Sequence, residues 1–166
     1  MKLTNILLYI YIHIHTAILY QMYANKTVNK KATEGYNVES LKVNGFLLNV
    51  WDIGGKDDYR NFWRHYYTGT QGLVFVIDSS DTDRLKISRE EIVEVLSDEQ
   101  LINAAILILA NKQDHACAMP PEQISQILNL DTLIGKRPLK IQGSTATTGD
   151  GLLSGFTWLA NNMRSL

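Results

Sequence analysis

One cysteine, three prolines and no surplus of either charge are what this 166-residue chain conspicuously goes without. With Cys117 alone, no internal disulfide can form, and a reducing, cytoplasmic setting fits best. Sixteen basic residues against seventeen acidic ones leave a formal net charge of -1. No basic excess is available to neutralise phosphates, so nucleic-acid binding has no electrostatic basis. Hydrophobic residues at 45% and charged ones at 20% exclude disorder over most of the length. The chain is the size of one domain that can bury a core without disulfides or metals, and residues 1–166 show no linker, repeat or second domain.

One stretch is apolar enough to need separate treatment. Ile6 to Tyr23, ILLYIYIHIHTAILYQMY, reads as a signal-peptide core behind Lys2, as a poor membrane span, or as part of the domain. His13, His15 and Thr16 in its middle argue against a stable span, and the lack of paired cysteines downstream argues against secretion. Within it IYIHIH alternates with a period of two, which suits a strand in the first-strand slot. His13 and His15 would then share a face, but no third metal ligand is identifiable.

Further along, strand-length apolar runs alternate with helix-period segments. Leu41 to Trp51 holds a hairpin, with Asn44-Gly45 supplying the two positive φ angles of a type I′ turn. Gly72 to Asp78 and Ala104 to Ala110 do not alternate, as expected of strands covered on both faces. Between them Leu85, Ile92, Val95 and Leu96 predict a helix over Asp81 to Leu96. Pro120-Pro121-Glu122 predicts the start of another, with Ile124, Ile127 and Leu128 on one face. Leu153, Phe156, Leu159 and Met163 predict a last helix over Leu152 to Met163. Such alternation is that of an α/β doubly wound sheet, whose ligands bind at the C-terminal strand ends. Asp52, Asp78 and Asn111 stand at those ends.

Asn111-Lys112-Gln113-Asp114 follows the buried run AAILILA. A carboxylate at Asp114 can accept two hydrogen bonds from the N1–H and N2–H₂ edge of guanine, a donor pair that adenine lacks. The Lys112 stem can cover the base plane while its head stays wet, and Asn111 can tie neighbouring loops together. Each residue alone is an ordinary strand exit; the four together after a buried strand favour guanine recognition. Trp51-Asp52-Ile53-Gly54-Gly55 ends the hairpin strand. A carboxylate there can hold Mg²⁺ through water, and paired glycines let a backbone N–H approach a terminal phosphate. Taken alone, that segment is also a plausible tight turn. Ser144-Thr145-Ala146 follows the run LKIQ, where a backbone amide could meet the guanine carbonyl; in isolation it is a plain loop.

Together these pieces resemble the ADP-ribosylation-factor-like branch of the small GTPases, from about Thr16 to Met163. The likeness rests on TEGYNVE, GFLLNVWDIGG, FWRHYY, GLVFVIDSSD, LILANKQD and IQGSTATTGDGLLSGFTWL. Parts of it look most like members that work with tubulin-folding cofactors and with carriers of lipidated proteins. The resemblance implies a three-layer, P-loop-NTPase-like G domain, with a mostly parallel six-stranded sheet and one antiparallel edge hairpin. It implies GTP/GDP and Mg²⁺ as ligands, with effector proteins, exchange factors and activating proteins as partners. Thr33 falls on the switch threonine that meets Mg²⁺, Thr16 on the other Mg²⁺ hydroxyl, and Asp52 on the water-mediated Mg²⁺ carboxylate. Gly55 falls on the γ-phosphate contact; Asn111, Lys112, Asp114 and Ala146 fall on the base site. Tyr36, Trp51 and Tyr66 fall on the aromatic triad that meets effectors, with core packing the rival explanation for Trp51 and Tyr66.

Three departures qualify this picture. The family's G-x-x-x-x-G-K-[ST] loop wraps phosphates with backbone N–H groups and neutralises them with its Lys. Setting Ile18-Leu19-Tyr20 at the start of the first helix puts that loop on Tyr9 to Thr16, which reads Y-I-Y-I-H-I-H-T. Both glycines are missing, His15 replaces the Lys, and Thr16 alone is kept. Losing three charge-assisted hydrogen bonds costs on the order of 5–9 kcal/mol, enough to turn a nanomolar site micromolar or far worse. Lys56 stands where the family carries the Gln that orients the attacking water, so hydrolysis is expected to be slow or absent. Lys at position two excludes N-terminal myristoylation. Residues 1–15 therefore read as an atypical N-terminus replacing the phosphate loop, from an alternative first exon or a displaced gene start. Transcripts joining Ile18 to an upstream exon encoding Gly-Lys-Thr would support that origin.

Overall fold

The computed structural model describes residues 2–10, 15–24, 36–53, 63–130 and 137–163. Strand β1 (Lys2–Ile10) is followed by helix α1 (His15–Ala24) and by the hairpin β2 (Tyr36–Val43) and β3 (Phe46–Ile53). A short 3₁₀ turn, Trp63–Tyr66, leads to β4 (Gly72–Asp78), helix α2 (Leu85–Leu96) and β5 (Ala105–Asn111). Helix α3 (Pro121–Leu128), strand β6 (Leu139–Gly143) and helix α4 (Leu152–Asn162) complete the domain.

The strands form one six-stranded sheet in the order β2-β3-β1-β4-β5-β6. Only β2 runs antiparallel to its neighbour; β1 pairs in parallel with both β3 and β4. Asn44 at φ 46 and Gly45 at φ 81 make the hairpin turn and set Val43 opposite Phe46. Both positive angles match the type I′ geometry that follows the right-handed strand twist.

Each face of the sheet carries its own core. Alternation along β4 sends Leu73, Phe75 and Ile77 to one face, where they meet Leu85, Ile92, Val95 and Leu96 of α2 and Ile124 and Leu128 of α3. Val74 and Val76 go to the other face with Ile18 and Leu19 of α1 and Phe156 and Leu159 of α4. Central strands covered on both sides need apolar residues at every position, the reason β4 and β5 lack a polar alternation.

Several expectations shift by a residue or a face. The run from Ile6 to Tyr23 is divided between a strand and a ten-residue helix. No helix among the described residues is long and apolar enough to cross a membrane. The strand in the first slot is KLTNILLYI rather than IYIHIH. His15 opens α1, so it does not continue a strand, while His13 lies outside the described residues. The helix expected over Asp81 to Leu96 begins at Leu85, because Asp81 is used as a turn acceptor for the Arg84 N–H. Ile127 and Leu153 face outward at 45% and 64% exposure. On α4 the inward stripe is Leu152, Gly155, Phe156, Leu159 and Ala160, one position away from the predicted start. Gly155 belongs to it because a Cβ there would already press on Leu107 and Leu109 at 3.3 Å, so the helix rests close on β5.

Candidate functional site

The sheet order reverses at β1: the chain leaves it toward β3 on one side and returns to β4 on the other. A ligand crevice belongs at the C-terminal strand ends beside such a reversal. Asp52 lies near the end of β3, Asp78 ends β4 and Asn111 ends β5, with Asp78 and Asn111 in register.

Asn111 is buried, and its carboxamide joins two loops. Its Oδ1 accepts the Ala146 N–H at 3.0 Å and the Ser144 hydroxyl at 3.2 Å. The Ser144 N–H donates to the Ala110 carbonyl at 2.9 Å, and the Gln113 N–H donates to the Ser144 carbonyl at 3.1 Å. The loop after β5 and the loop after β6 are thus laced edge to edge. Ala146, expected to offer its amide to a guanine carbonyl, directs that amide to Asn111 in this structure.

Lys112 takes a left-handed turn at φ 66, which costs a side-chain-bearing residue roughly 1–2 kcal/mol. The turn carries its ammonium across to Asp78 Oδ2, while Asp78 Oδ1 accepts the Ser80 N–H at 3.0 Å and the Ser80 hydroxyl at 2.6 Å. Burial alone would raise the Asp78 pKa, but the hydrogen bonds from Lys112 and Ser80 outweigh it and hold the carboxyl below its ordinary value. Asp114 is exposed on the same loop. Its carboxylate therefore stands open to a ligand, beside a lysine stem held from both ends.

Sequence reasoning left three contributors unassigned. Gln113, the variable position of N-K-x-D, donates its side-chain amide to Ser79 Oγ at 2.9 Å and to the Met119 carbonyl at 3.0 Å. It fastens the ends of β4 and β5 to the approach of α3. Asp78 was visible only as an acid at a strand end; its register with Asn111 is the signal that could have linked it to Lys112. Gly151 caps α4 at φ 74, where a Cβ would lie 2.0 Å from the Gly143 carbonyl oxygen. That packing holds the loop from Ser144 to Asp150 against the end of β6, and its isolated bridge between Thr145 and Asp150 closes it.

The aromatic residues also converge. Tyr36, Trp51 and Tyr66 form a triangle of ring centroids 5.7, 5.7 and 5.5 Å apart, all tilted. Trp51 and Tyr66 are half-buried and packed against the core, while Tyr36 is 54% exposed. Core packing and surface display therefore both apply, to different members of the triangle.

The residues expected to meet phosphate and metal divide between described and undescribed positions. Asp52 is fully buried, paired in register with Leu8 of β1 and Asn37 of β2. Thr16 is the second residue of α1. Thr33, Gly55 and Lys56 lie outside the described residues, as do 11–14 of the segment aligned with the family's phosphate loop. Two strands separate β3 from β5, which sets Asp52 and Asn111 on the order of 14 Å apart across the sheet. A ligand touching both must be elongated.

Comparison with known proteins agrees with this layout. The family model described as "ADP-ribosylation factor family" matches residues 13–163. Among solved structures, the Arl6 (BBS3) small GTPase from Trypanosoma brucei with bound nucleotide analogue GppNp superposes with a TM-score of 0.87. It is 31% identical, and the match covers 96% of either chain. The P-loop GTPase fold, the N-K-Q-D loop joined to the loop after β6 and a family match over most of the length lead to one conclusion: this chain belongs to the ADP-ribosylation factor family, as an ARF-like small GTPase.

Proposed function

We propose that this chain is a guanine-nucleotide-responsive switch protein whose grip lies mainly on the base. The observation that carries the proposal is the Asn111 carboxamide, which draws the Ala146 loop onto the N-K-Q-D loop. Guanine would be read by the exposed Asp114 carboxylate, with the Lys112 stem as its platform. The related Arl6 protein holds a nucleotide analogue, which supports a guanine nucleotide as the ligand class.

The implied Mg²⁺ would be held by Thr16, Thr33 and, through water, Asp52. Oxygen donors of this kind fit a hard cation, and the full burial of Asp52 fits a carboxylate that works beside positive charge. When bound, Mg²⁺ would supply positive charge to neutralise phosphate oxygens. The phosphate half fits less well: Tyr9 to His15 lacks the glycines and the lysine that would cradle it, and Lys56 cannot accept a proton from water while charged. Gly55 is the remaining candidate for the γ-phosphate. Weak retention of GTP and GDP and slow hydrolysis follow.

By family likeness, effectors would meet Tyr36, Trp51 and Tyr66, in trafficking, lipidated-cargo or microtubule pathways, with exchange factors and activating proteins setting the state. The replaced phosphate loop favours a second reading, a pseudo-GTPase that uses the same aromatic surface as an interaction module without nucleotide.

Titration of the purified chain with a fluorescent GDP analogue in Mg²⁺ separates the two. Binding that weakens on Asp114→Ala supports the switch. No binding at high micromolar concentration ends it and leaves the interaction module.

A further inference from the structure

We propose that Asp78 is a positioning residue of the base site, acting through Lys112; this rests on the guanine reading above. The two residues sit at the ends of adjacent strands, and Asp78 is opposite Asn111 in the β4–β5 register. Asp78 is held first. Its Oδ1 is saturated by the N–H and hydroxyl of Ser80, leaving Oδ2 aimed at the Lys112 ammonium. The Asp78 side chain is 9% exposed and that of Lys112 is 33% exposed, so the anchor is protected while part of the lysine remains open.

Lys112 is held at its other end as well. Its backbone is set at φ 66 between Asn111, which grips Ala146, and Gln113, which grips Ser79 and Met119. A four-carbon stem pinned at both ends has few rotamers left to lose. The platform for a base is therefore ordered before the base arrives, and preorganisation of this kind appears as affinity. A free lysine at this exit would swing through solvent and pay for that freedom on binding. With the phosphate loop replaced, the base contacts carry a larger share of recognition, and the effect of Asp78 grows with that share.

The test is a double-mutant cycle on the full chain, with the fluorescent GDP analogue in Mg²⁺ as probe. Asp78→Asn should weaken binding about two- to fivefold, and should do nothing further in a Lys112→Met background. Limited acetylation by acetic anhydride, read by mass spectrometry, should rise at Lys112 in Asp78→Asn with other lysines unchanged. A purely structural role would not produce that pairing of results. Should Asp78→Asn fail to fold, Asp78→Ser is read in the same cycle. Unchanged affinity in Asp78→Asn, or additive losses in the double variant, would overturn the positioning role and leave base recognition standing. Absence of binding by the unaltered chain would overturn both together.

Discussion

Replacing Asn111 by alanine tests the join between the loops after β5 and β6 directly, with or without a nucleotide. Asn111 is 1% exposed, and the two donors it satisfies belong to Ala146 and Ser144, at 5% and 1%. Removing the carboxamide strands the Ala146 amide, a cost of about 1–3 kcal/mol, and the Ser144 hydroxyl, which can rotate and adds less. With the small cavity left behind, the sum is about 2–4 kcal/mol. For a domain of this size, each kcal/mol lowers Tm by about 2–4 °C, so Asn111→Ala should melt about 4–16 °C early. Thermal melts followed by circular dichroism supply the assay. Ser144→Ala should cost roughly 1 kcal/mol alone and less than that on top of Asn111→Ala, since the two share one bond. A fall in Tm of less than about 2 °C for Asn111→Ala would refute the argument, because it would mean that the Ala146 amide is satisfied elsewhere.

Gly151→Ala should be among the most damaging single methyl additions, since it combines φ 74 with a Cβ 2.0 Å from the Gly143 carbonyl. Loss of soluble protein or a cost above about 4 kcal/mol is expected, and a near-normal melt would contradict the packing. Asp78 has its folded pKa held below the usual 3.8, so it binds its proton less readily folded than unfolded. Its contribution to stability is therefore complete above the unfolded value and lost as pH falls through the depressed one. Melts of Asp78→Asn should accordingly show a flatter acid limb than the parent, and superimposable limbs would exclude the effect. Within the aromatic triangle, Tyr36→Ala should cost about 1 kcal/mol and Trp51→Ala about 2–3 kcal/mol, because Trp51 is packed on the core while Tyr36 is 54% exposed. Urea unfolding of the two variants decides it, and the reverse order would refute the division between display and packing.

Much of the architecture was legible because it depends on short-range patterns. Asn44-Gly45 specified its turn by the φ angles those residues tolerate, and the unbroken apolar runs of β4 and β5 specified burial on both faces. N-K-Q-D after a buried strand marked a candidate base-reading loop, and the segment from Tyr9 to His15 departs from the family's phosphate-loop pattern. Helix faces were less secure: Ile127 and Leu153 are apolar, yet they point outward, since one residue of rotation on a helix turns a side chain by about 100° and the sequence alone does not say which neighbours it meets. The limits of the first strand were hidden for a similar reason. Continuous apolar sequence from Ile6 to Tyr23 has no punctuation, and the split into Lys2–Ile10 and His15–Ala24 came from pairing with β3 and β4.

The sequence by itself pointed to the family through its motifs, to most of the order of elements, and to N-K-Q-D as the candidate base-reading segment. Only the tertiary structure decided how those residues are held. Asp78 reaches Lys112 from a strand more than thirty positions earlier, Ala146 meets Asn111 across the β5–β6 edge, and Tyr36, Trp51 and Tyr66 close into one triangle. Hydrogen bonds and ring contacts act over a few ångströms, and sheet register, not distance along the chain, sets which side chains come that close.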